Sequence, residues 1–272
     1  MITRDPLVES VRGGVRLIEL GQPFFTGMPC SPNHPGFRMT LARRHGDQVR
    51  ADGGSAAAEI IVTGGHVGTH IDALSHVSHD GLLHGGIDAA QAQRGGRFTS
   101  HGAETLPGFL CRGVLLDIAT VHETDILPGG YEITADDLAA AEDSAGVTVE
   151  PGDVVLLRTG WSRRFDDAQA YLGGVSGVPG AGVAAARWLV ERRVRATGAD
   201  TTAYECLAPG AGHSLLPVHR VLLVEAGIPI IEHLALEEIA RQAVHEFAFL
   251  LAPLRIVGGT GSPVRPLAAV TR

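Results

Sequence analysis

Between His66 and His84 the sequence HVGTHIDALSHVSHDGLLH holds five of the chain's thirteen histidines, His66, His70, His76, His79 and His84, where an even spread would leave about one. Asp72 and Asp80 sit among them. Neutral imidazoles beside carboxylates are the ligand set of zinc and other first-row divalent ions, so the chemistry expected here is metal binding. Spacing restricts how that can happen. On a continuous strand His66, His70 and Asp72 would share a face but spread over roughly 20 Å, too far for one ion. On a helix His66 and His70 would stack one turn apart while Asp72 falls well round the cylinder. The chain is therefore expected to leave regular geometry near His70, using the freedom of Gly64, Gly65 and Gly68, so that His66, His70 and Asp72 converge on one ion at about 2.0–2.2 Å. Val67, Ile71, Ala73 and Leu74 alternate with the ligands, as in a packed site rather than a polar loop. No HExxH motif occurs, so the common zinc-protease pattern is excluded.

HVGTHIDALSH resembles the HxGTHxDxPxH signature of the cyclase-like metal hydrolases, the family that includes bacterial kynurenine formamidase and isatin hydrolase. Leu74 stands where the signature has proline. The resemblance implies that His66, His70 and Asp72 are metal ligands and that His76 is the catalytic acid/base, placed across the pocket from them. Downstream, HRVLLVEAGIPIIEHL resembles the segment that completes a two-metal site, which implies His219 and Glu232 as further ligands with Asp72 as the bridge. One or two ions of Zn2+ or Mn2+ are implied. The activity implied is hydrolysis of a C–N acyl bond, of aryl formamide, cyclic imide or lactam type, by a metal-activated water. Lactone hydrolysis or a dehydrating ring closure is the alternative on the same metal site, and a non-catalytic metal-holding scaffold is the third reading. The family loop that carries a Trp-Pro-Gly platform for aromatic substrates corresponds here to Ser31, Pro32 and Asn33, so that platform is missing. Ser31, His79, His84 and Trp161 are the candidate substrate contacts. His213 and His233 are weaker site candidates, and His34, His45, His101, His122 and His245 are expected to be solvated or structural. The resemblance also implies a homodimer or tetramer.

Length and composition agree with an enzyme of this kind. The 272 residues, 44% of them hydrophobic, suffice for one large domain over 1–272. A net charge of −8 without a Lys/Arg block argues against a nucleic-acid surface and toward a small-molecule substrate. No apolar run approaches a membrane span, and MITRDPLVES has no signal-peptide core, so a cytoplasmic protein is expected. The absence of lysine beside abundant Gly and Ala is in keeping with a GC-rich bacterial source. The three cysteines, Cys30, Cys111 and Cys206, are too widely spaced for a metal knuckle or a disulfide framework.

The elements that must position the site follow from periodicity. VRLIEL (15–20) alternates as a strand and leads into a loop broken by Pro23, Pro29, Pro32 and Pro35. Residues 38–55 read as an irregular hairpin or flap, and 56–62 as a strand delivering the chain to the metal turn. GVLLDI (113–118) and the strand within 151–161 are continuous apolar runs of buried strands. Thr134 caps a helix to Asp143, with Asp137 in the capping-box position and Gly146 ending it. A second helix runs over 181–193, a strand ends at Asp200, Pro217 opens a helix carrying His219, and IPIIEHL and FAFLLAPLRIV read as the last strands. Residues 78–107 form a long glycine-rich loop or lid. The whole is expected to be a mixed-sheet α/β domain, of the swivelling β/β/α type by the family resemblance.

Overall fold

Alternating and continuous apolar runs become strands at nearly the expected places. The computed structural model describes residues 5–271. Its centre is a nine-stranded mixed sheet. In chain order the strands that matter are β1 (Val15–Glu19), an outlying pair β2 (Arg38–Arg43) and β3 (Ala58–Val62), β4 (His70–Asp72), β5 (Phe109–Asp117) and β6 (Val154–Arg158). They continue with β7 (Ala196–Ala199), β8 (Ile230–Glu232), β9 (Glu246–Leu251), β10 (Gly261–Pro263) and β11 (Leu267–Thr271). Across the sheet the order is β1-β11-β9-β5-β6-β7-β8-β4-β10. Strands β5 to β8 are mutually parallel, and the remaining pairings are antiparallel.

The parallel centre is buried on both faces, which is why its strands read as unbroken apolar runs. Val114 and Leu116 of β5 and Val155 and Leu157 of β6 join one core cluster. There they meet Leu138 and Ala141 of the helix Ala135–Ala145 and Ala185 and Leu189 of the helix Val183–Glu191. Leu115, Val154 and Leu156 point the other way, into a cluster with Ile18, Ile71, Ile231, Phe249 and Ala268. The Thr134 cap forms as its sequence requires: its hydroxyl accepts from Asp137 N, Asp137 bonds back to Thr134 N, and Gly146 closes the helix in the left-handed conformation.

Around the site the structure refines the sequence reading. Residues 70–72 are a short strand in the sheet, and the chain leaves regular geometry on both sides of it, in the turns of 63–69 that hold the expected glycines and again after Asp72. Gly68 is the glycine that requires special backbone there, with φ +63°. A Cβ on it would fall 2.7 Å from both Met28 Cε and Phe24 Cζ, so this close approach admits no side chain. Residues 38–62 form a two-stranded ribbon, β2 with β3, whose register shifts between Leu41 and Arg43, so the expected irregular hairpin extends through the strand read at 56–62; it pairs with no strand of the main sheet. Residues 78–107 hold short hairpins, 3-10 turns and a one-turn helix. These pack on neighbouring segments through His84 Nδ1 to Val224 O (2.9 Å) and Phe98 N to Gly258 O (3.0 Å). Among the described residues no helix is long and apolar enough to cross a membrane.

Candidate functional site

Strand pairing assembles the first half of the site. Side chains two apart on a strand share a face, so His70 and Asp72 project together while Ile71 between them enters the core. Register places Glu232 of β8 directly opposite His70, where cross-strand side chains on one face meet. On the other flank β10 sets Gly261 opposite Asp72. A Cβ at Gly261 would come 2.6 Å from His66 Cε1, so the missing side chain is what lets the His66 ring lie over the strand. His76 follows β4 on a tight turn closed by His76 N to Ala73 O (2.9 Å). Its ring stacks on His66 with centroids 3.8 Å apart, so it adjoins the cluster instead of facing it across the pocket. His219 comes from a helix that starts as Pro217–His219 and continues with wider π winding over Arg220–Ala226.

The donor atoms converge. His66 Nδ1 lies 2.7 Å from Asp72 Oδ1. His70 Nε2 is 3.4 Å from Asp72 Oδ1 and 3.5 Å from Glu232 Oε2. His219 Nε2 is 3.2 Å from Glu232 Oε1 and 3.6 Å from Asp72 Oδ2. Three overlapping trios, His66/Asp72/His76, His70/Glu232/His233 and Asp72/His219/Glu232, each bring their ligand atoms within 4.8 Å of one another. All five expected ligands, His66, His70, Asp72, His219 and Glu232, are thus brought together.

Tautomers decide what this cluster can hold. His70 Nδ1 is 2.7 Å from the carbonyl of Gly68, which can only accept, so Nδ1 carries the proton and a neutral ring turns its Nε2 lone pair to the carboxylates. His219 is fixed the same way by Glu205, whose Oε1 lies 2.5 Å from His219 Nδ1. Asp72 Oδ2 and Glu232 Oε1 are buried without any hydrogen-bond partner. Lone pairs of two imidazoles and two carboxylates therefore face one another, an arrangement that requires positive charge between them. The titration directions agree. Burial pulls His70 and His219 down, but Asp72 and Glu232 together hold both above the ordinary histidine range. Burial raises the Asp72 carboxyl, and His76, His66 and His219 more than reverse it, holding it well below the usual carboxylate range. His76 differs: burial, opposed by Asp72 and helped by the surrounding rings, pushes it down to about 3. The residues present fit a divalent cation.

The remaining expectations are sorted by position. Ser31 lines the site cavity. His79 is half-exposed beside Asp80, lining a separate surface depression with Leu215 and Arg220. His84 turns toward Val224 and Gly227. Trp161 is fully buried in an apolar cluster, its Nε1 donating to Tyr171 O (2.7 Å). The geometry therefore does not bring His79, His84 or Trp161 to the cavity. Their cause is local: His84 and Trp161 satisfy backbone carbonyls, and Asp80 and Gly81, both with positive φ, turn the chain away after His79. Conversely His34, His213 and His233 line the cavity, and Glu205 orients His219. Only His233 and His213 carried a signal, their proximity in sequence to the second ligand segment.

Comparison with known proteins follows this geometry. The Cyclase family model, described as "Putative cyclase", matches residues 18–206. The isatin hydrolase of Roseibium aggregatum is 26% identical over 227 residues, covering 82% of this chain and 78% of that protein. A solved structure of a novel cyclase superposes with TM-score 0.84 at 29% identity, covering 98% of this chain and 93% of that one. Isatin hydrolase A from Ralstonia solanacearum superposes with TM-score 0.75 at 26% identity, covering 99% of each chain. The matched span runs from β1 through the histidine motif of 66–76 to the end of the Asp200 loop, and the chain belongs to the Cyclase family.

Proposed function

We propose that the protein is a metal-dependent hydrolase that opens a C–N acyl bond in a formamide, cyclic imide or lactam. The observation that carries this reading is the pair of buried, unpartnered carboxylate oxygens, Asp72 Oδ2 and Glu232 Oε1, facing imidazole nitrogens whose protons are held elsewhere. His66, His70, Asp72, His219 and Glu232 would hold Zn2+ or Mn2+, one ion or two. Bound there, such an ion supplies Lewis acidity toward a carbonyl and toward water.

The chain's own residues supply the rest. His76 is neutral at pH 7 because its burial disfavours the imidazolium. The neutral ring leaves a lone pair for the proton of the attacking water, which it would return to the leaving nitrogen; its low basicity means the proton is held only with help from a neighbouring charge. Stacking on His66 fixes the plane of its ring, and Asp72 nearby stabilises the imidazolium that forms in between. Glu205 keeps His219 in one tautomer, as carboxylates behind metal-ligating histidines do. Relatives named isatin hydrolases support a ring-opening reaction over formate release.

Elemental analysis of the purified protein, with hydrolysis of an amide and lactone panel before and after chelation, tests this. Bound zinc or manganese with chelator-sensitive cleavage of amides is the expected result. Cleavage of lactones alone would transfer the reading to ester chemistry, and absence of bound metal after loading would overturn it.

A further inference from the structure

The hydrolysis described above leaves part of its cavity without a task. Besides His66, His70, His76, His219 and Glu232, the lining consists of Ser31, Asn33, His34, Thr202, His213 and His233, with Leu216 the one apolar side chain. Neither an arginine nor a carbocyclic aromatic ring is among them. The cavity holds about 210 Å³, below the roughly 300 Å³ at which pockets for drug-sized ligands begin. Phe165 and Tyr171 reach the site only through His233, at ring distances of 6.5 and 5.4 Å.

His233 is the unusual member. Successive residues of a strand point to opposite faces, yet Glu232 and His233 both line the cavity. The reversal comes from the backbone, since His233 has φ +56°, an uncommon conformation for a residue with a side chain. Two hydrogen bonds hold it there: His233 N donates to Thr201 O (3.0 Å), and Thr69 Oγ1 donates to His233 O (2.7 Å). Strain that persists because its surroundings over-determine it concentrates at ligand clamps. The ring so placed is 3% exposed, and its Nδ1 has no partner while Nε2 has only Thr202 Oγ1 at 3.5 Å. A ring in the cavity wall with one nitrogen unpaired and the other held only by a long contact to Thr202 has hydrogen-bonding capacity left for a ligand.

We infer that His233 grips the substrate by a hydrogen bond, and that this substrate is a small, uncharged, non-aromatic acyl compound, of the cyclic imide class, rather than an aryl lactam. The acyl class rests on the hydrolase reading; the role of His233 does not.

The test uses the metal-loaded full chain with two probes, succinimide and the aryl lactam isatin, in calorimetric titrations paired with hydrolysis assays. Wild type, His233→Gly and His233→Asn are compared, with metal content and melting temperature measured on each. Glycine accepts the left-handed backbone without the ring. Asparagine also tolerates it and keeps a hydrogen-bonding group. The expected result is tighter binding of succinimide than of isatin. His233→Gly should weaken succinimide by about tenfold at unchanged metal content, and His233→Asn should recover part of the loss. Wild-type affinity in both variants would reduce the ring to a passive wall. Metal lost together with affinity would make it a ligand to the ion. Tighter binding of isatin, or no binding of succinimide, would overturn the substrate class. Succinimide bound through His233 without chelator-sensitive turnover would sink the hydrolase reading and leave the role of His233 standing.

Discussion

Asp72 and His76 occupy one cluster yet should fail differently when altered. Asp72 is 1% exposed and approached by His66, His70 and His219 at once. Asp72→Ala removes the carboxylate that those rings share, so metal content measured by plasma emission should fall to a small fraction of wild type, and the melting temperature with it. His76→Ala leaves the carboxylates in place. It should keep its metal and lose about 10²–10⁴ in kcat, and wild-type turnover would remove His76 from the mechanism. Glu205 acts at one remove. Its two oxygens accept Val218 N (3.1 Å), His219 N (3.0 Å) and His219 Nδ1 (2.5 Å), which both satisfies the start of the helix and sets the His219 tautomer. Glu205→Gln would set an amide N–H against one of those donors, so metal affinity in a chelator competition should drop about 10–100-fold. Nitrogen shifts of the His219 ring should report the lost tautomer, and unchanged affinity would make Glu205 a helix cap alone. The first half of the candidate site was legible because His66, His70, Asp72 and His76 fall within one motif. Glu205 was not, because it meets His219 only through tertiary packing and stands in sequence as the end of an ordinary strand-to-loop run.

Elements place these atoms through register, and register is most exposed at the β4–β10 pairing. Gly261→Ala would add a Cβ 2.6 Å from His66 Cε1, and the three nearest atoms it would meet all belong to the His66 ring. Far-UV circular dichroism should therefore stay as in wild type while metal content falls, and full metal occupancy would show that the His66 ring can shift without consequence. The same pairing explains what the sequence concealed. β10 reads GSP inside GGTGSPVRPLA, a run whose glycines and prolines signal a loop. It forms because an edge strand bonded on one side only has room for Pro263, which needs no amide hydrogen. Strand β4, which carries His70 and Asp72, is three residues long, too short for periodicity to register. By contrast β5, β6 and the Thr134-capped helix were legible because continuous burial and a capping box are written in adjacent residues.

At the scale of the molecule, the β2–β3 ribbon is the part its own fold does not complete. Met39 faces Ile61 across one side of the ribbon, and Ile60 and Val62 lie on the other beside Thr40 and Arg38. Each of these four apolar side chains is between 51% and 56% exposed. Isolated two-stranded ribbons are marginal in water, and one apolar on both faces presents the kind of surface that marks an interaction site. Neither face is covered by the main sheet, whose nine strands exclude both β2 and β3. We expect a second copy of the chain to cover it, in keeping with the homo-oligomer that the family resemblance implies. Light scattering coupled to size-exclusion chromatography should then give at least twice the chain mass for wild type. Ile61→Glu would place a charge at the centre of one apolar face without touching the core clusters, and should shift the population toward monomer with an unchanged far-UV spectrum. A wild-type protein that runs as a monomer at micromolar concentration would overturn the assignment. The hairpin would then need a different partner. Because the ribbon returns to the turn at His66 only a few residues after Val62, a monomeric Ile61→Glu variant with the metal content of wild type would also show that assembly and ion binding are separable.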